Sequence, residues 1–215
     1  MEEKTSGIAE EFALLRTYLS AITDPRHRRG RVHPLEGVLS LSVLALMADC
    51  RSLSSIHRFG ELHPEVLELL GLRRSPSVAT LARLLRQVSV AEVAQALRSL
   101  AQDLLEGRHG EGPLVVAVDG KTLRGVWEEG QQLGVLHLFA HQAQLALDQV
   151  RTLYHVDEAR VAKTWLEEMA GQFPGLAVLT GDALLADRSL CAAIVAQGQD
   201  YLVKLKKTNP ASTKR

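Results

Sequence analysis

Leu114 to Val118 is an unbroken apolar run, LVVAV, and a single carboxylate, Asp119, follows it. Set between Gly112-Pro113 and Gly120, the run reads as a fully buried strand that Gly120 ends. A carboxylate at the end of such a strand loses hydration, at a cost that a cation, a metal ion or a hydrogen bond must offset. Lys121, Thr122 and Arg124 come next, three side chains able to bind anions. On residue types alone Asp119 is equally well a cap for the turn at Gly120. A strand buried on both faces needs neighbours, so the rest of the chain decides between these readings.

Ahead of this strand the pattern is helical. Ile8, Phe12, Leu15, Leu19 and Ile22 recur at helical spacing until Asp24-Pro25. Leu35 to Cys50 is apolar nearly all round, the mark of the central helix of a bundle. Further helices are predicted over Ser52–Phe59, over Pro64–Leu70 with Gly71 as C-cap, over Val78–Val88 behind Ser77 (or Ser75), and over Val90–Leu105. Ser89 with Glu92 three residues on has the pattern of a capping box. Arg73, Arg74, Arg83 and Arg86 lie on or near the Val78–Val88 helix, so a helix-turn-helix with Thr80–Gln87 as reader competes with an ordinary solvated helix face.

At Gly107–Gly112 the composition changes, which predicts a boundary between a helical domain (1–110) and a second domain (111–215). Gly134–His141 and Ala146–Tyr154 read as strands that form a meander with the first, turning near Glu128-Glu129-Gly130 and Gln144. A helix over Val161–Met169, a buried strand over Leu176–Thr180 that ends at Gly181-Asp182, a helix over Asp187–Gln197 and a strand over Tyr201–Leu205 complete the order.

Hydrophobic residues make up 46% and charged residues 23% of the 215, the balance of an ordinary globular protein. Aromatics at 4% argue against base-stacking platforms for single strands. Lys+Arg and Asp+Glu are both 25, so any attraction to nucleic acid must come from a local patch. Two patches qualify: Arg26, Arg28, Arg29 and Arg31, and the tail holding Lys204, Lys206, Lys207, Lys214 and Arg215. Cys50 and Cys191 form no metal or disulfide motif. The acidic start has no signal-peptide core, and Val38–Ala48 is too short to span a bilayer, so a soluble cytoplasmic protein is expected.

Two buried strands that each end in an Asp bring Asp119 and Asp182 to one sheet edge if the strands are parallel neighbours. Carboxylates held close repel unless a divalent cation lies between them, and an oxygen-rich site suits Mg²⁺ or Mn²⁺. His137 and His141 share a strand face and raise zinc, without a third ligand at motif spacing. Asp119 with Thr122 also raises an aspartyl-phosphate enzyme, in which the place of the usual second acid is taken by Lys121.

The element order, with one acid on the first strand and another after the fourth, is the RNase H-like arrangement. VDGKTLRG at 118–125 resembles the first catalytic block of DDE transposases of the ISAs-one insertion-sequence family, the H-repeat-associated proteins. LHLFAH at 136–141 resembles the block that follows, and 179–210 resembles the second catalytic block. DPRHRRGRVHPLEGVLSLSVLALMADCRSLSSI at 24–56, with 75–88, is similar to the family's associated N-terminal domain. The resemblance implies an N-terminal helical bundle followed by an incomplete RNase H-like mixed sheet with helices. Asp119 and Asp182 are then the first two acids of a DDE triad that binds Mg²⁺ (or Mn²⁺) for strand cleavage and transfer in DNA transposition. Lys121, Arg124, Arg26, Arg28, Arg29, Arg31, Lys204, Lys206 and Lys207 would contact double-stranded DNA at transposon ends, with a homo-oligomer on DNA. The family's third acid, a helix-borne Glu, has no counterpart in the 215 residues, and 156–161 reads VDEARV where the family has another stretch. A truncated copy with impaired catalysis is therefore expected. The alternative is a non-catalytic DNA-binding or dimerising fragment that modulates an intact transposase.

Overall fold

A computed structural model describes residues 13–108, 112–128, 130–153, 158–183 and 186–205. The chain divides into two compact units, Met1–Leu100 and Ala101–Arg215.

The first unit is helical: α1 (13–20), α2 (Leu35–Met47), α3 (Leu53–Leu62), α4 (Pro64–Leu69), α5 (Val78–Gln87) and the first part of α6 (Val90–Arg108). Leu15, Leu19 and Ile22 are buried as their spacing predicts, while Ile8 and Phe12 lie outside the described residues. α2 is the central helix, with Leu35, Val38, Leu39, Leu41 and Ala45 in the core. It stops three residues earlier than its apolar run, and Leu46 and Met47 are exposed. Asp49 adopts a left-handed φ of 64° just beyond the helix. Ser52 and Ser55 form a reciprocal capping box at α3, and the Ser77 hydroxyl accepts from the Thr80 N–H at α5. Gly71, at φ 67°, sits where the sequence places the C-cap of α4.

Only half of the box predicted at α6 is made. The Glu92 N–H donates to Ser89 Oγ at 3.3 Å, but the Glu92 carboxylate accepts from the backbone N–H of Thr23 at 2.6 Å. The acid ties the end of the α1 segment to α6.

Gly37 marks the tightest approach to α2. A Cβ there would stand 2.6 Å from the Leu70 carbonyl oxygen and 3.1 Å from the Leu72 side chain. Backbone cannot swing aside as a side chain can, so Gly37→Ala is expected to destabilise the unit by about 1–3 kcal/mol. Urea denaturation of the two proteins measures it.

The second unit is a five-stranded mixed sheet of order β3-β2-β1-β4-β5. Its strands are β1 (Leu114–Glu128), β2 (Gln131–Ala140), β3 (Leu145–Leu153), β4 (Leu176–Gly181) and β5 (Asp200–Val203). β1, β2 and β3 form the antiparallel meander that the sequence predicts, and β4 and β5 run parallel to β1. The meander turns where the chain can take left-handed backbone, at Gly130 (φ 78°) and Gln144 (φ 52°). α7 (Glu158–Met169) and α8 (Arg188–Ala196) supply helical cover, and Asp187 caps α8 by accepting from the Ser189 and Leu190 N–H groups. The core gathers Val116, Val118, Leu136, Leu138, Leu166, Phe173 and Ile194. Within it the Trp165 indole N–H donates to Asp148 Oδ2 at 2.8 Å, both residues buried.

One expectation is corrected. Gly120 does not end the first strand. β1 continues to Glu128 because β2 pairs with it well past the glycine, through Gly120↔Leu136, Lys121↔Val135 and Thr122↔Gly134. A glycine weakens a strand without ending it where a partner's ladder is in place. The irregularity comes later, as a register shift between Thr122 and Trp127 that includes Gly125 at φ 77°.

Candidate functional site

Parallel pairing between β1 and β4 runs to Val118↔Gly181. Asp119 is the next residue of β1, and Asp182 is the first residue beyond the end of β4. Neighbouring strands lie about 5 Å apart, so the register brings the backbones of the two acids side by side. Val118 is in the core, and alternation therefore turns Asp119 to the opposite face. Both aspartates are exposed. The acid predicted to bear a burial cost is in fact hydrated: the Asp119 side chain retains 61% of its exposure.

The same level continues across the sheet. His137 of β2 is the register partner of Asp119, and Gln149 of β3 is the partner of His137. On the other side Val203 pairs with Gly181, and the Lys204 N–H donates to the Gly181 carbonyl at 3.2 Å, which sets Lys204 beside Asp182. A row Gln149–His137–Asp119–Asp182–Lys204 thus crosses all five strands or their ends. The sequence sets His137 on one strand face with His141, at a spacing longer than that of direct neighbours. The fold gives it Asp119 instead, and His141 Nε2 lies 3.4 Å from Thr180 Oγ1. The strand alternation was the available signal for His137, but cross-strand register is invisible without the partner.

Lys121 lies two residues along β1 from Asp119, on the same face, and its Nζ is 3.4 Å from Asp119 Oδ2. Both groups are exposed, so the pair contributes little to stability. The Arg124 side chain, Lys206 and Lys207 lie outside what is described, and Lys204 is exposed. Mg²⁺ commonly takes one or two carboxylates and keeps several waters, and the exposed acids at this edge, Asp119 and Asp182, are oxygen donors of that kind. Among the described residues no group of three or more His, Cys, Asp and Glu side chains is gathered for a metal ion.

The arginine run of the first unit divides by role. Arg26 forms a bidentate pair with Asp24, Nε to Oδ1 and Nη2 to Oδ2 both at 2.9 Å, and also donates to the His33 carbonyl at 2.8 Å. Arg31 reaches the same Asp24 at 3.2 Å and the Arg26 carbonyl at 3.1 Å. Arg26 is thus a structural clasp of the loop. Arg28 and Arg29, in a single 3-10 turn, are exposed. The Arg26 hydrogen bond holds the Asp24 carboxyl below its ordinary pKa.

His33 is buried, and burial, with the Arg74 and Arg26 cations nearby, holds its imidazole below the ordinary histidine pKa. A depressed histidine binds its proton more readily in the unfolded chain. Stability is therefore full above about pH 6.5 and falls as the pH drops below that value. Between pH 7 and pH 5 the urea midpoint of this unit is expected to decrease, and His33→Gln is expected to flatten that slope.

Residues 16–101 match the family model described as DDE_Tnp_1-associated. Three proteins of Escherichia coli K12 are similar over most of the chain. "Putative protein YbfL" is 27% identical over 203 residues, 91% of this chain and 52% of its own length. "H repeat-associated putative transposase YhhI" is 26% identical over 204 residues, 92% of this chain and 52% of its own. "H repeat-associated putative transposase YbfD" is 25% identical over 199 residues, 91% and 77% respectively. The chain thus spans about half the length of the first two. Among solved structures, a piggyBac transposase synaptic complex with hairpin DNA aligns over 94% of this chain and 52% of that one, at 9% identity and a TM-score of 0.44. No described helix is long and apolar enough to cross a membrane.

Proposed function

We propose, from the match of 16–101 to the DDE_Tnp_1-associated model and the similarity of most of the chain to H repeat-associated putative transposases, that this is a DNA transposase chain of a bacterial insertion sequence. In this reading 1–110 is the associated helical domain and 111–215 is an RNase H-like DDE domain. The observation that carries it is the register: Asp119 and Asp182 follow the paired residues Val118 and Gly181 on adjacent parallel strands. The sheet order β3-β2-β1-β4-β5 supports the RNase H-like assignment.

Asp119 and Asp182 would hold the divalent ion, Mg²⁺ or Mn²⁺, at this edge. Bound there, such an ion would supply a lowered pKa for an attacking water or hydroxyl and charge stabilisation for the leaving oxygen. Lys121 and Lys204, on either side of the two acids, would attract the DNA phosphates, with Arg124, Lys206 and Lys207 extending that approach. Arg28 and Arg29 would add phosphate contacts from the first unit, where Arg26 and Arg31 shape the loop that presents them. With two acids rather than a triad, strand transfer by these 215 residues alone is expected to be weak. The DNA partner is the duplex of transposon ends, bound by a homo-oligomer in the cytoplasm.

Incubation of the purified chain with supercoiled plasmid and Mn²⁺ tests the assignment. Slow nicking is expected, lost with either Asp119→Asn or Asp182→Asn. Nicking that survives both substitutions overturns the role of these acids, and efficient Mg²⁺-dependent joining of transposon ends overturns the weak-catalysis proposal. DNA binding with no nicking at all would favour the non-catalytic fragment.

A further inference from the structure

The first unit contains a cleft of about 960 Å³ that the proposed chemistry does not use. Its lining includes Arg31, Arg73, Arg74, His33, Asp24 and Glu36. Three guanidiniums face two carboxylates, and one of those carboxylates, Asp24, is already shared between Arg26 and Arg31. Arg73 and Arg74 are exposed and make no hydrogen bond or ion pair among the described residues. At the same place α2 begins. Its N-cap, Pro34, provides no side-chain acceptor, so the first amides of a 13-residue helix are uncapped beside the cleft. His33 is 95% buried, lines the cleft, and its ring meets no hydrogen-bond partner among the described residues. Neither ring nitrogen is a fully buried atom without a partner, so the ring is open to the cleft and can donate to a ligand there.

We propose that this cleft is a phosphate-binding site, with Arg73 and Arg74 as the charge-bearing contacts, the α2 amides and the His33 ring as hydrogen-bond donors, and Arg31 as a fixed wall. Guanidiniums beside a helix N-terminus select a tetrahedral oxyanion. Glu36, in the first turn of α2, is the carboxylate of the lining that opposes the anion. The phosphate is either one of the DNA backbone or one of a free phosphate compound. The proposal rests on the transposase reading only for the first of these sources.

The experiment uses the full chain, a labelled 20-base-pair duplex and inorganic pyrophosphate. Arg73→Gln combined with Arg74→Gln is expected to lower duplex affinity at least tenfold at low salt. It should also reduce the logarithmic salt slope by about two, since each phosphate left without its cation lowers the slope by about 0.9. The control is Arg83→Gln with Arg86→Gln, an equal loss of charge on the exposed side of α5, expected to cost much less. In the unsubstituted chain the His33 ring NMR signals should move when a ligand enters. Movement with duplex alone identifies backbone phosphate, and movement with pyrophosphate as well identifies a general phosphate seat. An unmoved His33 signal at saturating concentrations of both, or a cleft pair that loses no more than the α5 pair, overturns the proposal. Plasmid nicking that still depends on Asp119 and Asp182 in that case leaves the transposase reading standing.

Discussion

Trp165→Ala is expected to unfold the second unit at markedly lower denaturant, with a loss of about 3–5 kcal/mol. The indole is 3% exposed and stacks on Phe173 with ring centroids 5.9 Å apart, so truncation opens a large apolar cavity. It also removes the N–H that Asp148 Oδ2 accepts. Trp165→Phe separates the two effects. It keeps most of the ring packing and deletes the hydrogen bond, so a smaller loss of about 1–3 kcal/mol is expected. Tryptophan-free detection, by far-ultraviolet circular dichroism in urea, measures both variants. Equal stability of the Phe variant and the parent would show that Asp148 draws its compensation from other partners.

The second large effect concerns the two acids. Asp119→Asn and Asp182→Asn are each expected to weaken Mn²⁺ binding at least tenfold, because each removes half of the carboxylate set. Lys121→Gln should act in the opposite direction, strengthening binding a few-fold. Its ammonium, 3.4 Å from Asp119 Oδ2, repels an incoming cation and competes for that oxygen. Both side chains are exposed, which limits the gain. Electron paramagnetic resonance of free Mn²⁺ titrated with each protein reads all three. Unchanged affinity in both aspartate variants would place the ion elsewhere.

Much of this architecture was legible because it is local. Ser52, Ser77 and Asp187 announce helix starts with their own hydroxyl or carboxylate, and Gly71 and Gly198 stand at left-handed φ where helices end. The run Leu114–Val118 declares a strand by composition. The failures concern partners. Gly120 looks like a terminator until β2 is seen to carry the ladder past it. Glu92 fits a capping box until Thr23, far away in the chain, takes its carboxylate. Arg26 looks like part of a free basic run until Asp24 and the His33 carbonyl claim its guanidinium. The acids themselves were readable as strand ends. Their adjacency is a matter of register, and so is the facing of His137 and Asp119.

That register bears on which length changes the second unit can tolerate. Between Thr122 and Trp127 the β1–β2 ladder already slips, and Gly125 already takes a conformation outside the strand. An inserted or deleted residue there adds to an existing irregularity. The same change between Leu114 and Val118 would turn Asp119 inward and a core valine outward, while moving the acid one step out of line with Asp182. Sequence drift in this chain should therefore accumulate length variation at the hairpin tip and almost none in the five residues ahead of Asp119.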